Sequence, residues 1–392
     1  MNNTDKKRIL IVVPFNIGTI GRCSLNLYKA LETSGECEVK CIVVHWFENG
    51  FEDYNDCDFC QKGKLHGVNR VLAFWRQIKW LRLHKKNFKP DLTVSTLFGC
   101  STISALSGGK DFKIGIFHSP HTQAKKDGVF NYLMTLATYH LIYPFLDRLF
   151  CVSEEVKDSL RSFPFISDKK KKVVYNIHFP EDIRNKSEEE LIDPKEAEIL
   201  SQPTLLYCGR LDKNKAPDRA MIAFAKANKP ENAQLVFIGN DVENMTDSLC
   251  DLAKRLSIDN AVHFFGKKEN PYPYMKSAKA LISSSYSEGL PGVIIESLIL
   301  GTPVVSTNSS KGVWEIFLCS DQYDEELDSL YKCNCGIISS NLGKKQLTCM
   351  DEDTENLSES ISLAYKYPRI EDFPFEEKIK PDGVIKEYLN QE

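Results

Sequence analysis

Several features are absent from this chain of 392 residues, and each absence closes off a class of function. No apolar run approaches the roughly 18 to 20 residues that a membrane span requires. The opening MNNTDKKRILIVVPF carries charges and only a short apolar stretch, so it reads as a first β-strand and not as an export signal. No G-x-G-x-x-G fingerprint follows that strand, which discounts a nicotinamide dinucleotide. No internal repeat of 20 to 50 residues is evident, and no D-x-D motif stands where it could hold a catalytic metal. Thirteen cysteines are present, but they are scattered through a large chain, as reduced thiols would be. Cys57-x-x-Cys60 and Cys333-x-Cys335 each lack the second pair that a zinc site needs. The charge is nearly balanced, 50 Lys and Arg against 54 Asp and Glu. Composition therefore offers no global reason to expect a nucleic-acid partner.

What is present is an alternation of short apolar runs and helical patterns. Strands are expected at Arg8 to Val13, Val39 to Val44, Leu92 to Ser95, Lys113 to Phe117, Arg148 to Val152 and Val173 to Asn176. A second series comes at Thr204 to Cys208, Gln234 to Ile238, Ala261 to Phe265, Ala280 to Ser283 and Pro303 to Ser306. Uninterrupted apolar strands between amphipathic helices argue for parallel sheets covered on both faces. The chain is also longer than one core usually supports. The expected fold is α/β, with two Rossmann-like, doubly wound domains facing across a cleft that is the default active site. The expected organisation is an N-terminal domain over 1–178, an acidic connection over 179–200, a C-terminal domain over 201–370 and a terminal helical segment over 371–392.

The densest chemical signal is SSSYSEGLPGVIIESLILGTPVVST, Ser283 to Thr307. It reads as strand, loop, buried helix, turn and strand. The exposed backbone N–H groups at such a helix start favour an anion, a phosphate above all. Glu288 on the loop and Glu296 in the helix are either ligand-binding carboxylates or capping and surface groups. Upstream, a strand runs into Gly209-Arg210-Leu211, with Lys215 a few residues beyond. A planar guanidinium fork and an ammonium point charge suit a diphosphate that must be stabilised as it departs, although a solvated loop would carry the same residues.

Together these segments, G-R-L-x-x-x-K at Gly209 to Lys215, S-E-G-x-P-x-x-x-x-E at Ser287 to Glu296 and G-x-P-V-V at Gly301 to Val305, closely resemble the retaining glycosyltransferases of family 4, the group 1 glycosyl transferases of the GT-B fold. The resemblance is strong from Thr204 to Phe317 and weak in the N-terminal half. It implies that Arg210 and Lys215 bind the pyrophosphate of a nucleoside-diphosphate sugar, a UDP sugar in the first place. Glu288 would face the transferred sugar beside the amides of Gly289 and Leu290, and Glu296 would take the ribose hydroxyls. Gly266 and Lys267 are candidates near the base, and Gly209 completes the loop. Two departures stand out. Ala216-Pro217 follows Lys215 where the family commonly has glycine, and Thr307-Asn308-Ser309-Ser310 replaces a frequent glycine pair before Glu315.

In the N-terminal half, Gly18 and Gly21 precede an amphipathic helix, a place suited to close approach by a ligand. His118 and His121 come directly after the strand Lys113 to Phe117. The family often has a functional histidine there, and which of the two corresponds is left open. Between Lys62 and Pro90 stand nine Lys or Arg and no Asp or Glu, with Phe74, Trp75, Trp80 and Phe88 interleaved. Residues 68–86 are thus either a basic amphipathic helix for an anionic membrane or a core-facing helix with a solvated side. The apolar run Tyr132 to Leu146 is expected in the core.

The expected activity is transfer of a hexose-type sugar to a glycan or lipid-linked glycan, in lipopolysaccharide, O-antigen or capsule synthesis. No cofactor or metal is required on this reading, since Arg210 and Lys215 supply the charge a metal would give. The expected location is the cytoplasm, with peripheral attachment at the inner membrane, and no nucleic acid is bound. The alternatives are a nucleotide-sugar epimerase or phosphorylase of the same fold, or a non-catalytic sugar-binding protein.

Overall fold

A computed structural model describes residues 6–14, 18–44, 57–59, 68–120, 128–191, 193–320, 322–341 and 352–390. The chain forms two compact units, one of residues 1–178 with 378–392 and one of residues 179–377.

The first unit contains β1 (Lys7–Val13), α1 (Gly18–Thr33), β2 (Cys37–Val43), β3 (Cys57–Phe59), α2 (Val68–Phe88), β4 (Leu92–Thr96) and α3 (Leu97–Leu106). It continues with β5 (Phe112–Phe117), α4 (Val129–Leu141), β6 (Arg148–Cys151), α5 (Glu154–Ser159) and β7 (Lys171–Val173). The strands lie in the order β3-β2-β1-β4-β5-β6-β7 and all pair in parallel. The apolar run of β1 explains its place near the centre: Ile9 to Val13 are wholly buried, as befits a strand covered on both faces.

The second unit contains α6 (Pro180–Ser187), α7 (Pro194–Leu200), β8 (Thr204–Cys208), α8 (Pro217–Lys226), β9 (Gln234–Ile238), α9 (Thr246–Arg255), β10 (Val262–Gly266) and α10 (Tyr272–Ser277). Then come β11 (Ala280–Ser283), α11 (Gly292–Ile299), β12 (Val304–Thr307), α12 (Lys311–Leu318), β13 (Leu330–Cys333), β14 (Gly336–Ser339) and α13 (Glu352–Ala364). Its order is β10-β9-β8-β11-β12-β14-β13, parallel except for the β13–β14 hairpin at the edge. In both sheets the strand order reverses beside the first strand, between β1 and β4 and between β8 and β11. Ligands of doubly wound sheets bind at the carboxyl ends of the strands at such reversals.

Three expectations are corrected. The acidic segment over 179–200 is not a free connection but two helices of the second unit. Several of its charges are paired within that unit: Glu196 accepts from Lys268 Nζ at 2.6 Å and Tyr274 Oη at 2.5 Å, and Arg184 pairs with Glu376 at 2.6 Å. The terminal segment over 371–392 is likewise divided. Its last helix, α14 (Pro381–Leu389), returns to the first unit and packs on α1. There Val384, Ile385 and Tyr388 are buried, and Lys7 Nζ donates to Leu389 O at 2.7 Å. The apolar run Tyr132 to Leu146 is only half in the core. Tyr139, Tyr143 and Leu146 are buried, but Leu133, Met134, Leu141 and Phe145 are exposed.

The basic segment is the single helix α2. Phe74, Trp80 and Phe88 pack against a core of Leu10, Val12, Ile42, Ile78 and Leu81, and Trp75 alone of the four interleaved aromatics is exposed. Among the described residues no helix is long and apolar enough to cross a membrane.

Candidate active site

The sequence motifs of the second unit converge on its point of strand reversal. Gly209 to Lys215 leave the end of β8, and Ser284 to Pro291 leave the end of the neighbouring β11. Lys215 Nζ lies 2.5 Å from Glu288 Oε1, with the two side chains 23% and 12% exposed. Ser285 Oγ donates to the same carboxylate oxygen at 2.6 Å. Arg210 is the accessible cation, its side chain 61% exposed and its guanidinium 3.0 Å from Asp212.

Hydrogen bonds to backbone carbonyls hold these two loops together. Asn214 Nδ2 donates to Ser287 O at 2.9 Å, Tyr286 N donates to Asn214 O at 2.8 Å, and Ser284 Oγ donates to Lys215 O and Ala216 O. Asp212 is nearly buried and is the pivot of the first loop: it accepts the Lys215 amide at 2.9 Å and faces Arg210 with its other oxygen. Tyr207 Oη donates to Arg210 O at 2.9 Å. Burial, reinforced by Asp212 and Glu288, keeps that hydroxyl protonated far above its ordinary range.

Asp212, Asn214 and Ser285 escaped the sequence reading. The signal for Asp212 was present, since an acidic side chain three residues before an amide it accepts is a common local turn. The departure at Ala216 also has a structural meaning. Its φ is 48°, a left-handed conformation that glycine would adopt more easily. Ala216 is fully buried in the core, where its methyl group packs.

Within the expected set Gly18 and Gly266 hold positive φ angles of 76° and 68°, and two glycines outside it are required by close packing. A Cβ on Gly239 would stand 1.8 Å from Gly209 O, and one on Gly312 would stand 2.1 Å from Gly289 O. Gly312, in the first turn of α12, lets that helix press against the loop bearing Glu288. A Cβ on Gly209 itself would meet nothing closer than Tyr207 at 3.8 Å. Gly289 and Leu290 lie just before α11, which has no acidic residue in its first turn, and Glu296 is buried one turn inside it. Gly266 ends β10, where its carbonyl accepts from Gly239 N at 2.9 Å, and Lys267 is exposed beyond it. Lys268 is occupied by Glu196.

In the first unit Gly18 and Gly21 occupy the first turns of α1. His118 follows β5 and borders a pocket of about 10 Å³, room for one water, with Cys23, Ser24, Thr96 and Asn176. Its Nε2 is buried and makes no hydrogen bond. Burial lowers its pKa to about 4, so the ring is neutral near pH 7. His121 lies outside the described residues.

Two family models cover most of this architecture. The model described as Glycosyltransferase Family 4 matches residues 20–177, and the one described as Glycosyl transferases group 1 matches residues 188–319. The chain belongs to the family 4 glycosyltransferases.

An uncharacterised glycosyltransferase of Methanocaldococcus jannaschii is 25% identical over 65% of this chain and 64% of its own length. The N-acetylgalactosamine-N,N'-diacetylbacillosaminyl-diphospho-undecaprenol 4-alpha-N-acetylgalactosaminyltransferase of Campylobacter jejuni is 32% identical over 48% of each chain. The chain thus spans about half to two thirds of the length of these relatives. Among solved structures, the Anabaena protein HepE in complex with UDP and glucose superposes with a TM-score of 0.67 at 14% identity, over 98% of both chains. That likeness identifies the fold as GT-B.

Proposed function

We propose that this family 4 member is a retaining, metal-independent glycosyltransferase that moves a hexose-type sugar from a UDP sugar to a glycan or lipid-linked glycan of a bacterial surface polysaccharide. The observation that carries the reading is the Lys215–Glu288 pair at the strand reversal of the second unit, with exposed Arg210 beside it.

Arg210 and Lys215 take the donor diphosphate and stabilise the negative charge that grows as the sugar leaves, a role in which fixed cations act strongly. Without ligand, Asp212 and Glu288 balance these two cations. Donor binding draws Lys215 towards phosphate and frees Glu288 to accept from a sugar hydroxyl. Ser285 keeps Glu288 oriented during that exchange. The start of α11, with the amides of Gly289 and Leu290, adds its own affinity for anions. Glu296 takes the ribose hydroxyls, and Gly209, Gly266 and Lys267 border the nucleotide.

The first unit takes the acceptor. Gly18 and Gly21 allow close approach at the start of α1, and His118 offers a neutral imidazole. His121 is retained in this role on the sequence pattern alone. The UDP preference is supported by the UDP-bound structural neighbour. The lipid-linked acceptor is supported by the Campylobacter jejuni relative, whose name specifies a diphospho-undecaprenol acceptor. Such an acceptor implies work at the cytoplasmic face of a membrane, with the basic helix α2 as the point of attraction and no nucleic-acid partner.

A donor screen tests the reading: purified protein is incubated with UDP, GDP and ADP sugars, with and without EDTA, and nucleoside diphosphate release is followed. Release from one donor, unaffected by EDTA and lost in Arg210→Ala, is expected. Rearrangement of the sugar without any acceptor would favour an epimerase instead.

A further inference from the structure

Large apolar side chains at least half exposed are concentrated in one stretch of the first unit. Among the described residues there are ten, and all but Val242 lie between Leu72 and Phe165. Six of them form a ridge on α4 and the turns C-terminal to it: Val129 76%, Leu133 57%, Met134 53%, Leu141 70%, Phe145 65% and Phe165 70% exposed. Phe165 joins the ridge through His140, whose ring lies 5.9 Å away. From Val129 to Leu146 the sequence has no Asp, Glu, Lys or Arg. The opposite side of the same helix is firmly anchored, with Tyr139 stacked on Phe163 at 4.5 Å and edge-on to Tyr143 at 4.7 Å. The ridge is therefore held in place and uncovered, the kind of surface that marks an interaction site.

Its charged surroundings are net basic, with one exposed acid, Asp168, followed by Lys169 to Lys172 and paired with Lys171 at 2.9 Å. Lys170 Nζ donates to Pro144 O and Leu146 O, at the base of Phe145, and Lys169 beside it is exposed. Among the described side chains of α2 the exposed apolar and basic ones are Leu72, Trp75, Arg76, Lys79, Arg82, Leu83 and Lys86. At about 100° per residue they fall within an arc of roughly 120°, so apolar and basic side chains share one stripe. The crossovers β3 to β4 and β5 to β6 advance in the same direction across the sheet. Right-handed crossovers place α2 and α4 on the same sheet face.

We propose that α4, with Phe145 and Phe165, is the element that enters the acyl layer of an anionic bilayer, while α2 supplies electrostatic attraction. This inference rests on the peripheral-membrane reading given under the proposed function and says which element does the inserting. A bilayer fits better than a second copy of the chain. Two identical copies would bring basic rims against each other, whereas anionic headgroups complement them. A helix of this length is far too short to span a bilayer and would lie in the interface with its apolar side down.

The test is co-sedimentation of the full chain with phosphatidylcholine vesicles, with and without phosphatidylglycerol. Three proteins are compared: the unaltered chain, a ridge variant (Leu133→Ser, Leu141→Ser, Phe145→Ser) and a stripe variant (Arg76→Gln, Lys79→Gln, Lys86→Gln). All these positions are exposed, and thermal unfolding checks that each protein folds. The ridge variant should bind anionic vesicles at least about tenfold more weakly at every salt concentration, given the apolar area removed. The stripe variant should lose affinity chiefly at low salt, where unscreened charges act furthest. Tryptophan placed by Leu133→Trp should be quenched by brominated acyl chains.

If the ridge variant binds like the unaltered chain while the stripe variant does not, the inference falls and the peripheral reading survives. If the unaltered chain binds neither vesicle, both fall. If the ridge variant turns a dimer into a monomer with vesicle binding unchanged, the ridge is a subunit contact and the inference is overturned.

Discussion

Gly312→Ala is a one-methyl change whose consequence can be worked out from distances. The added Cβ would stand 2.1 Å from Gly289 O, 3.1 Å from Gly289 C and 3.3 Å from Leu290 Cα. All three atoms are backbone, so no side-chain rotation relieves the overlap. Bringing the carbon to an ordinary contact with that oxygen requires the loop or α12 to retreat by about 1 Å, and overpacking of this kind costs roughly 1–3 kcal/mol. The loop that must move carries Glu288, one residue before Gly289, and a misplacement of about 1 Å in a catalytic group can lower turnover roughly 100-fold. Gly99→Ala, on the exposed side of α3, is the control, since a Cβ there would meet nothing within 4 Å. Donor turnover and urea unfolding should be measured for both proteins. The expected result is a drop in kcat of about two orders of magnitude for Gly312→Ala and near-normal kcat for Gly99→Ala. The reasoning is refuted if the two variants behave alike, or if Gly99→Ala is the more damaging.

Other parts of the molecule carry further expected outcomes. Lys215→Met leaves the Glu288 carboxylate, only 12% exposed, with Ser285 as its remaining polar contact. It should cost about 1–3 kcal/mol in stability and about 100-fold or more in kcat, whereas Lys215→Met with Glu288→Gln should recover stability but not turnover; denaturation and donor release separate the two. Burial holds His118 and His178 in the first unit at about 4, below the unfolded value near 6.5. The unfolded chain therefore binds more protons between these values, and stability is constant above about pH 6.5 but falls below it by up to about 1.4 kcal/mol per pH unit for each residue. Urea midpoints at neutral and mildly acidic pH should show that loss, with a shallower slope in His178→Gln; an unchanged or rising midpoint on acidification contradicts it. Removal of residues 378–392 uncovers the surface of α1 beneath Val384, Ile385 and Tyr388, a loss of roughly 5 kcal/mol. Limited proteolysis should then open the first unit while fragments of the second persist.

Much of this was legible from the residues because long buried strands advertise themselves. Apolar runs such as Ile9 to Val13 and Thr204 to Cys208 can hardly be anything but strands sheltered on both sides. The loop motifs at Gly209 to Lys215 and Ser287 to Glu296 likewise pointed to one site. The less legible parts depend on contacts distant in sequence. The charged helices α6 and α7 look like solvated linker until Lys268, Tyr274 and Glu376 are brought to them by the fold. The need for glycine at position 312 arises from a carbonyl at position 289 that no local pattern encodes. The hairpin β13–β14 was missed because each strand is only four residues long and a polar turn interrupts the apolar signal. Helix α4 was misjudged for a simpler reason: burial cannot be inferred from apolarity alone when a surface has its own use for apolar side chains.

The central claim, that the strand reversal of the second unit binds the donor diphosphate, is tested most directly by hydrogen exchange with and without UDP. The account predicts slowed exchange at the amides of 209–216 and 284–296, abolished when Arg210→Ala and Lys215→Met are combined. Protection confined to other segments, or unchanged protection in the double variant, would contradict it.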